Sequence, residues 1–328
     1  MIDLHNIRRA LTSTDEETRR SALHALRASV MPEKQALLFS AMGDESWRVR
    51  KEAVESYVHA TPDRDSVELL LELIRNEDNA GLRNSAAEAA IRLGPVSAPV
   101  LMNMIDDGDA DVRKFIIDIM GAIGDPVFVP SLICLLHDPE VNVASAAAEQ
   151  LGALGDTDVA EQLMEALFLR DEVFFRFSVL GALGVLAKPL PIPGELIQLA
   201  DQDIFRKAVF DCLGAISDDS SLELLLNGFS CGQKSSRAAS LKALYSIYRR
   251  SCPTAREKIQ DALQLLAGHD VIIGLLELFD SHDGVLAEAL IWASDMIKDV
   301  RFIPLISALS DEDPDDRIAR CRRAWQNS

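Results

Sequence analysis

Six histidines, five cysteines and a surplus of carboxylates are the side chains in these 328 residues that could bind a metal, attack a carbonyl or move a proton. The histidines, His5, His24, His59, His137, His269 and His282, fall singly, and none sits in the HExxH spacing that puts two imidazoles on one helical face. Cys134, Cys212, Cys231, Cys252 and Cys321 are 78, 19, 21 and 69 residues apart with no CxxC pair. That spacing argues against a disulfide framework and against a zinc or iron–sulfur centre, so reduced and mostly packed thiols are expected. No phosphate-cradling GxxxxGK[ST] word occurs, and GFSCG (228 to 232), which has the GxSxG spacing, follows the apolar run LELLLN without the strand that a nucleophile turn requires. Paired carboxylates abound, but among 52 acidic residues they say little about acid–base catalysis. The expectation is a non-catalytic protein with no cofactor and no metal.

What does recur is an arginine. Aligning the chain on an apolar residue, Arg, then small residues at helical spacing places the Arg slot at 19, 50, 83, 113, 144, 176, 206, 237, 286 and 317. Successive slots are 30 to 33 residues apart except for one interval of 49. Eight slots hold the guanidinium, at Arg19, Arg50, Arg83, Arg113, Arg176, Arg206, Arg237 and Arg317, while Ala144 and Leu286 depart from it. Carboxylates precede several slots, at Asp44, Glu77, Asp107, Asp138, Asp280 and Asp311. Such a residue, beside a buried stripe in every unit, reads as a structural ladder linking adjacent units to Asp or carbonyl partners.

The elements that carry this ladder follow from periodicity. SVELLLELI (66 to 74) and VPSLICLLHD (129 to 138) read as first helices, and DVRKFIIDIMGAIG as a second, with apolar residues returning every three or four positions. Acidic breaks such as GDE, DDGD and HDP cap the second helix, and glycines 94, 124, 155 and 184 are expected to close it. A period near 31 sustained along a chain marks a solenoid of helix pairs, each stacking on the next because it cannot bury its own apolar face. The expected organisation is a single domain over 1–328, with repeats near 1–31, 32–61, 62–94, 95–125, 126–156, 157–187, 188–218, 219–252, 270–298 and 299–328. An extra helix occupies 253–269, where SCPTAREKIQDALQLLAGHD fills the long interval.

The repeated word, clearest at Asp107, Val112, Arg113 and Gly121 and at Asp138, Val143, Ala147, Leu151 and Gly152, resembles the HEAT repeat superfamily, in particular its short bacterial, phycobilisome-lyase-type form. Phe175-Arg176 and Phe205-Arg206 keep the word with Phe in place of Val, and Ser236 breaks its apolar slot. The resemblance implies an all-α fold, a right-handed α-solenoid of about ten two-helix repeats, with the second helices lining a concave face. It also implies a function open between binding scaffold, lyase acting on a tetrapyrrole-bearing protein, and nucleic-acid enzyme.

Two features of the second helices bear on that choice. At about 100° per residue, the position six beyond the apolar residue points away from the buried stripe. Glu55, Glu88, Asp118, Glu149 and Asp211 occupy it, with Gly181 interrupting. If the second helices line a groove, these carboxylates form a row able to meet a basic segment. Further along, Phe115, Val141, Val173, Phe174, Phe177 and Ile204 stand where earlier repeats carry Lys51, Glu52 or Asn84. Apolar anchors framed by charge are the usual make-up of a protein-binding patch.

Net charge completes the selection. At -19, the chain repels phosphate backbones unless basic residues gather on one face, and the short basic clusters at Arg19-Arg20, Arg249-Arg250 and Arg317 to Arg323 do not alternate with Trp47, Trp292 and Trp325. The paired His-Glu words of HEAT-like iron hydroxylases are missing, and RIARCRRAW reads as the cap of the last repeat. No apolar stretch approaches the roughly 20 residues that span a bilayer, and MIDLHNIRRALTSTDEE lacks the sections of a secretory signal. The partner expected is a protein with basic and apolar features, without nucleic acid or membrane, in the cytoplasm.

Overall fold

Apolar residues at three- and four-residue spacing, cut by acidic and Gly/Pro breaks, can bury themselves only as helices packed side by side. The computed structural model describes residues 4–27, 33–231, 233–266, 268–279, 283–302 and 304, and within them 19 α-helices and no strand. The fold is an all-α solenoid. Its packing divides into two compact units, Met1–Asp156 and Thr157–Ser328. Arg317, Cys321, Asp280, Asp311, His282 and the terminal RIARCRRAW lie outside the described residues.

The first unit is five helix pairs. They are α1 (Leu4–Leu11) with α2 (Glu16–Leu26), α3 (Lys34–Met42) with α4 (Trp47–Val58), α5 (Arg64–Glu72) with α6 (Ala80–Leu93), α7 (Ala98–Asn103) with α8 (Ala110–Ile123), and α9 (Val129–Leu135) with α10 (Val141–Leu154). Second helices stack in a row, α2 on α4, α4 on α6, α6 on α8 and α8 on α10. Their inner faces are small: Ala86, Ala87, Ala89 and Ala90 of α6 and Ala144, Ala146, Ala147 and Ala148 of α10 are buried, which lets neighbouring backbones approach closely.

The second unit holds α11 (Ala160–Ala166), α12 (Val173–Leu186), α13 (Gly194–Leu199), α14 (Asp203–Ile216), α15 (Leu222–Cys231), α16 (Lys234–Arg250), α17 (Pro253–Leu265), α18 (His269–Leu276) and α19 (Gly284–Ile297). Here the row of second helices runs α12, α14, α16, α19, with larger buried side chains including Phe175, Phe205, Phe210 and Phe229. The helix α17 falls in the long interval of the repeat. It packs on α15, α16 and α19 through buried Ala255, Ile259 and Leu263. Two guanidiniums fasten this junction: Arg250 donates to the Gly214 and Ser217 carbonyls at the end of α14, and Arg256 to the Tyr248 and Arg249 carbonyls at the end of α16. Both complement a negative helix C-terminus.

The arginine ladder has a regular form. Arg19, Arg50, Arg113, Arg176 and Arg206 each donate to the carbonyl six residues back, at Ser13, Asp44, Asp107, Arg170 and Ala200. This fastens the break between first and second helix. Arg19 and Arg113 also grip a carboxylate 25 residues ahead, Asp44 and Asp138, with both oxygens engaged. Through Asp138, the repeat that carries Ala144 is joined to the repeat before it even though it has no Arg in its own slot. Arg83 lays its guanidinium over Phe115, 5.1 Å from the ring centroid, and Asp107 instead pairs with Arg75. Arg237 donates to the Phe229 carbonyl.

Helix ends follow the expected chemistry in part: the GDE and HDP breaks leave Ser46 and Glu140 as N-caps of α4 and α10 with no side-chain cap bond. Asp15, Asn79, Asp109 and Asp283 accept backbone N–H bonds as N-caps of α2, α6, α8 and α19. Gly94, Gly124 and Gly155 follow their helices at positive φ. Gly184 does not close α12. It lies inside the helix, a Cβ there would stand 4.0 Å from the Cys212 Cα, and Ala187 at φ 51° ends the helix instead. That distance is an ordinary contact, so the packing of α12 on α14 does not require the glycine. Of the three cysteines whose side chains are described, Cys212 is buried and Cys134 and Cys252 are exposed.

Candidate protein-docking surface

Helix α12, VFFRFSVLGALGVL, has a single charged residue. One face goes inward, burying Phe175, Val179, Leu180, Ala182, Leu183 and Leu186. Arg176 is turned back to the Arg170 carbonyl and Asp171, so its charge is spent on its own loop. The opposite face is left without charge. Val173, Phe177, Gly181 and Val185, four residues apart, follow one another along it. Val173 is 42% exposed, Phe177 37% and Val185 69%, and a Cβ at Gly181 would meet no atom within 4 Å. The result is an apolar ridge with a dip in its middle.

Phe174, 57% exposed, stands beside that ridge at the start of α12, and Ile204, 55% exposed, occupies the same register on α14. Phe177 is the anchored member, since its ring rests on buried Phe205 with centroids 5.3 Å apart. The Arg176 guanidinium covers Phe205 as well, 5.8 Å from its centroid. A ring held this way presents its outer face without losing rotamer freedom when something docks. Of the 16 large hydrophobics exposed among the described residues, eight fall between 168 and 204: Phe168, Leu169, Val173, Phe174, Phe177, Val185, Ile197 and Ile204. Scattered exposed apolar residues are ordinary, whereas a concentration is not.

The structure brings together four of the six apolar residues expected from sequence, Val173, Phe174, Phe177 and Ile204. Phe115 and Val141 belong to the first unit and are half-buried, and Phe115 serves as the plate under Arg83. Val185 and Gly181 extend the patch, and the signal for both was the continuing four-residue spacing after Val173 and Phe177.

The five carboxylates of the outward row are exposed or half-exposed, as the helical angle requires. They do not form a bare acidic strip. Glu55 accepts from Arg92 and stands 3.2 Å from the His59 ring nitrogen. The Arg92 hydrogen bond, above all, holds the Glu55 carboxyl below its ordinary range. Arg92 also reaches Glu88 at 4.0 Å. Lys114 donates to Asp118 at 2.9 Å, and Lys207 to Asp211 at 2.7 Å, with Lys242 3.9 Å from Asp211 and 3.1 Å from Asp283. Glu149 stands exposed on α10. The outward surfaces flanking α12's ridge in sequence are therefore mixed-charge ladders, worth little each in stability when exposed. Among the described residues, no cluster of three or more His, Cys, Asp or Glu is placed to hold a metal ion, and no single helix is long and apolar enough to cross a membrane.

Comparison with known proteins agrees with this architecture. No curated protein matches the sequence. Among solved structures, importin beta superposes with a TM-score of 0.51 at 14% identity over 94% of this chain and 51% of that chain. Kap121p bound to the extreme C-terminus of the protein phosphatase Cdc14p gives a TM-score of 0.59 at 16% identity, over 94% of this chain and 40% of that one. Kap121p bound to Pho4p gives 0.58 at 14% identity, over 94% and 39%. This chain thus spans about half the length of importin beta and less of Kap121p. A family model described as HEAT repeats, with no phycobilisome-lyase subtype, matches residues 5–91 and 98–184, and on that match the chain belongs to the HEAT repeat family.

Proposed function

We propose that this chain is a non-catalytic binding scaffold, and that its partner is a protein docking on the apolar ridge of α12 together with Ile204 of α14. The carrying observation is that Val173, Phe174, Phe177 and Val185 stand exposed on one helix whose only charge is turned away, with Ile204 exposed on the next second helix. Removing such a surface from water gives about 25 cal/mol per Å2, and an anchored aromatic at its centre is where binding energy concentrates. Solenoids of similar fold bind protein segments, as the Kap121p complexes with the Cdc14p C-terminus and Pho4p illustrate. Because cations already accompany Glu55, Asp118 and Asp211, apolar anchors on the partner carry most of the affinity, and basic residues on it serve mainly approach and register.

The test is partner recovery from the native cell with the Phe174→Asp/Phe177→Asp double variant. Phe174→Asp alone, at a side chain 57% exposed, keeps the helical signal and serves as the folded reference should loss of the Phe177 contact with Phe205 unfold the double variant. In either folded variant recovery of the wild-type partner falls, at least about tenfold in the double one. Recovery equal to wild type by a folded variant places the docking surface elsewhere.

A further inference from the structure

The inserted helix α17 borders an open groove of about 560 Å3 that runs between it and α15. Its floor is aliphatic: Leu222 and Leu226 come from α15, and Ala262, Leu265 and Leu266 from the end of α17. Leu265 is 87% exposed, more than any other large hydrophobic side chain described. On a helix that buries Ala255, Ile259 and Leu263, a leucine turned to solvent beside a cleft is not needed for packing. The rim is polar and acidic. Asp219 and Glu223 stand on the α15 side, and Lys258 reaches across from α17 to Asp219 at 3.4 Å. That bridge spends the groove's one lining cation and leaves exposed Glu223 with the aliphatic floor.

We propose that this groove is a second docking site, separate from α12, and that it takes an amphipathic helix carrying aliphatic residues at three- and four-residue spacing with lysine or arginine beside them. Helical walls on either side of an aliphatic floor suit an amphipathic helix with its apolar stripe on Leu222, Leu226 and Leu265. Charge selects the rest of the occupant. A basic side chain next to the stripe meets Glu223, or displaces Lys258 from Asp219, and an acidic one meets like charge at the same rim.

The test uses two fluorescent peptides, a leucine/lysine amphipathic helix and the same helix with glutamate for lysine, titrated by anisotropy into the full chain at physiological salt. The lysine peptide binds wild type at least about tenfold more tightly than the glutamate peptide, the equivalent of about 1.4 kcal/mol. Leu265→Lys and Ala262→Trp each weaken the lysine peptide at least about fivefold, by like charge and by filling the floor, whereas Phe174→Asp does not. Because Leu265 is exposed, Leu265→Lys keeps the fold and decides the matter if Ala262→Trp does not fold. No binding to wild type, equal binding of the two peptides, or undiminished binding to Leu265→Lys overturns the proposal.

Discussion

Arg113 and Asp138, 25 residues apart in sequence, face each other in a two-pronged ion pair, Nε to Oδ2 at 2.7 Å and Nη2 to Oδ1 at 2.8 Å. Both side chains are almost closed off from water, at 10% and 5% exposure, and the third guanidinium nitrogen is taken by the Asp107 carbonyl at 2.7 Å. The Asp138 hydrogen bond is also the main reason that the Arg113 guanidinium holds its proton more tightly than usual. One side chain therefore ties the break before α8 to the break before α10.

Removing one partner of such a pair leaves a desolvated charge, which is costlier than never having had the pair. Asp138→Asn lowers the unfolding free energy by about 3 kcal/mol, and the Arg113→Met/Asp138→Leu double variant recovers most of that loss. The control is Glu45→Ala, whose carboxylate is 87% exposed and 3.4 Å from Arg19; its denaturant midpoint stays at the wild-type value. A loss under about 1 kcal/mol for Asp138→Asn removes the ladder from the account of stability.

The three cysteines whose side chains are described should differ in reactivity in a defined order. Cys252 precedes α17, and its Sγ lies 3.1 Å from the Thr254 hydroxyl. That hydrogen bond, followed by the Ala255 N–H, holds the exposed thiol below its ordinary 9.0. Burial pushes Cys212 up to about 12. A lowered value means more thiolate at neutral pH, so alkylation of Cys252 reaches half-maximal rate at a pH under 9.0, and Thr254→Val moves that midpoint upward. Cys212 stays unmodified in the folded protein. Peptide mass spectrometry across pH 6 to 10 reads all of this, and an unchanged midpoint in Thr254→Val rejects the assignment.

How much of this is legible in the sequence depends on whether a residue's role is local or set by packing. The ladder is legible because the same slot recurs with the repeat, and Val173, Phe174, Phe177 and Ile204 are legible because helical angle alone turns them outward. The acidic row is legible only in part. Lys114 and Lys207 sit four residues before Asp118 and Asp211, a spacing that pairs them on any helix, so local pattern already contains the neutralisation of those two. The bridge from Arg92 to Glu55 crosses from α6 to α4 and exists only once the helices stack. Gly184 misleads for the same reason: a glycine near a helix end resembles a terminator, and only the folded chain shows α12 running past it to Leu186.

Two glycines on adjacent second helices make opposite predictions for one substitution. At Gly214 of α14, a Cβ would come 2.8 Å from the Ala243 Cα of α16, a backbone atom that cannot swing aside. Gly214→Ala therefore forces α14 and α16 apart and costs about 2 kcal/mol, within the range for overpacking. At Gly181 of α12 there is open space on the exposed face, and the position is helical. Gly181→Ala there stabilises by up to about 1 kcal/mol through the unfolded chain and the gain in helix propensity. The added methyl also fills the dip between Phe177 and Val185. If a partner side chain seats in that dip, the more stable variant is the weaker binder, and a higher unfolding midpoint accompanied by reduced partner recovery is the expected pair of results. A more stable Gly181→Ala that binds as wild type confines docking to the Phe174 and Phe177 end of the ridge.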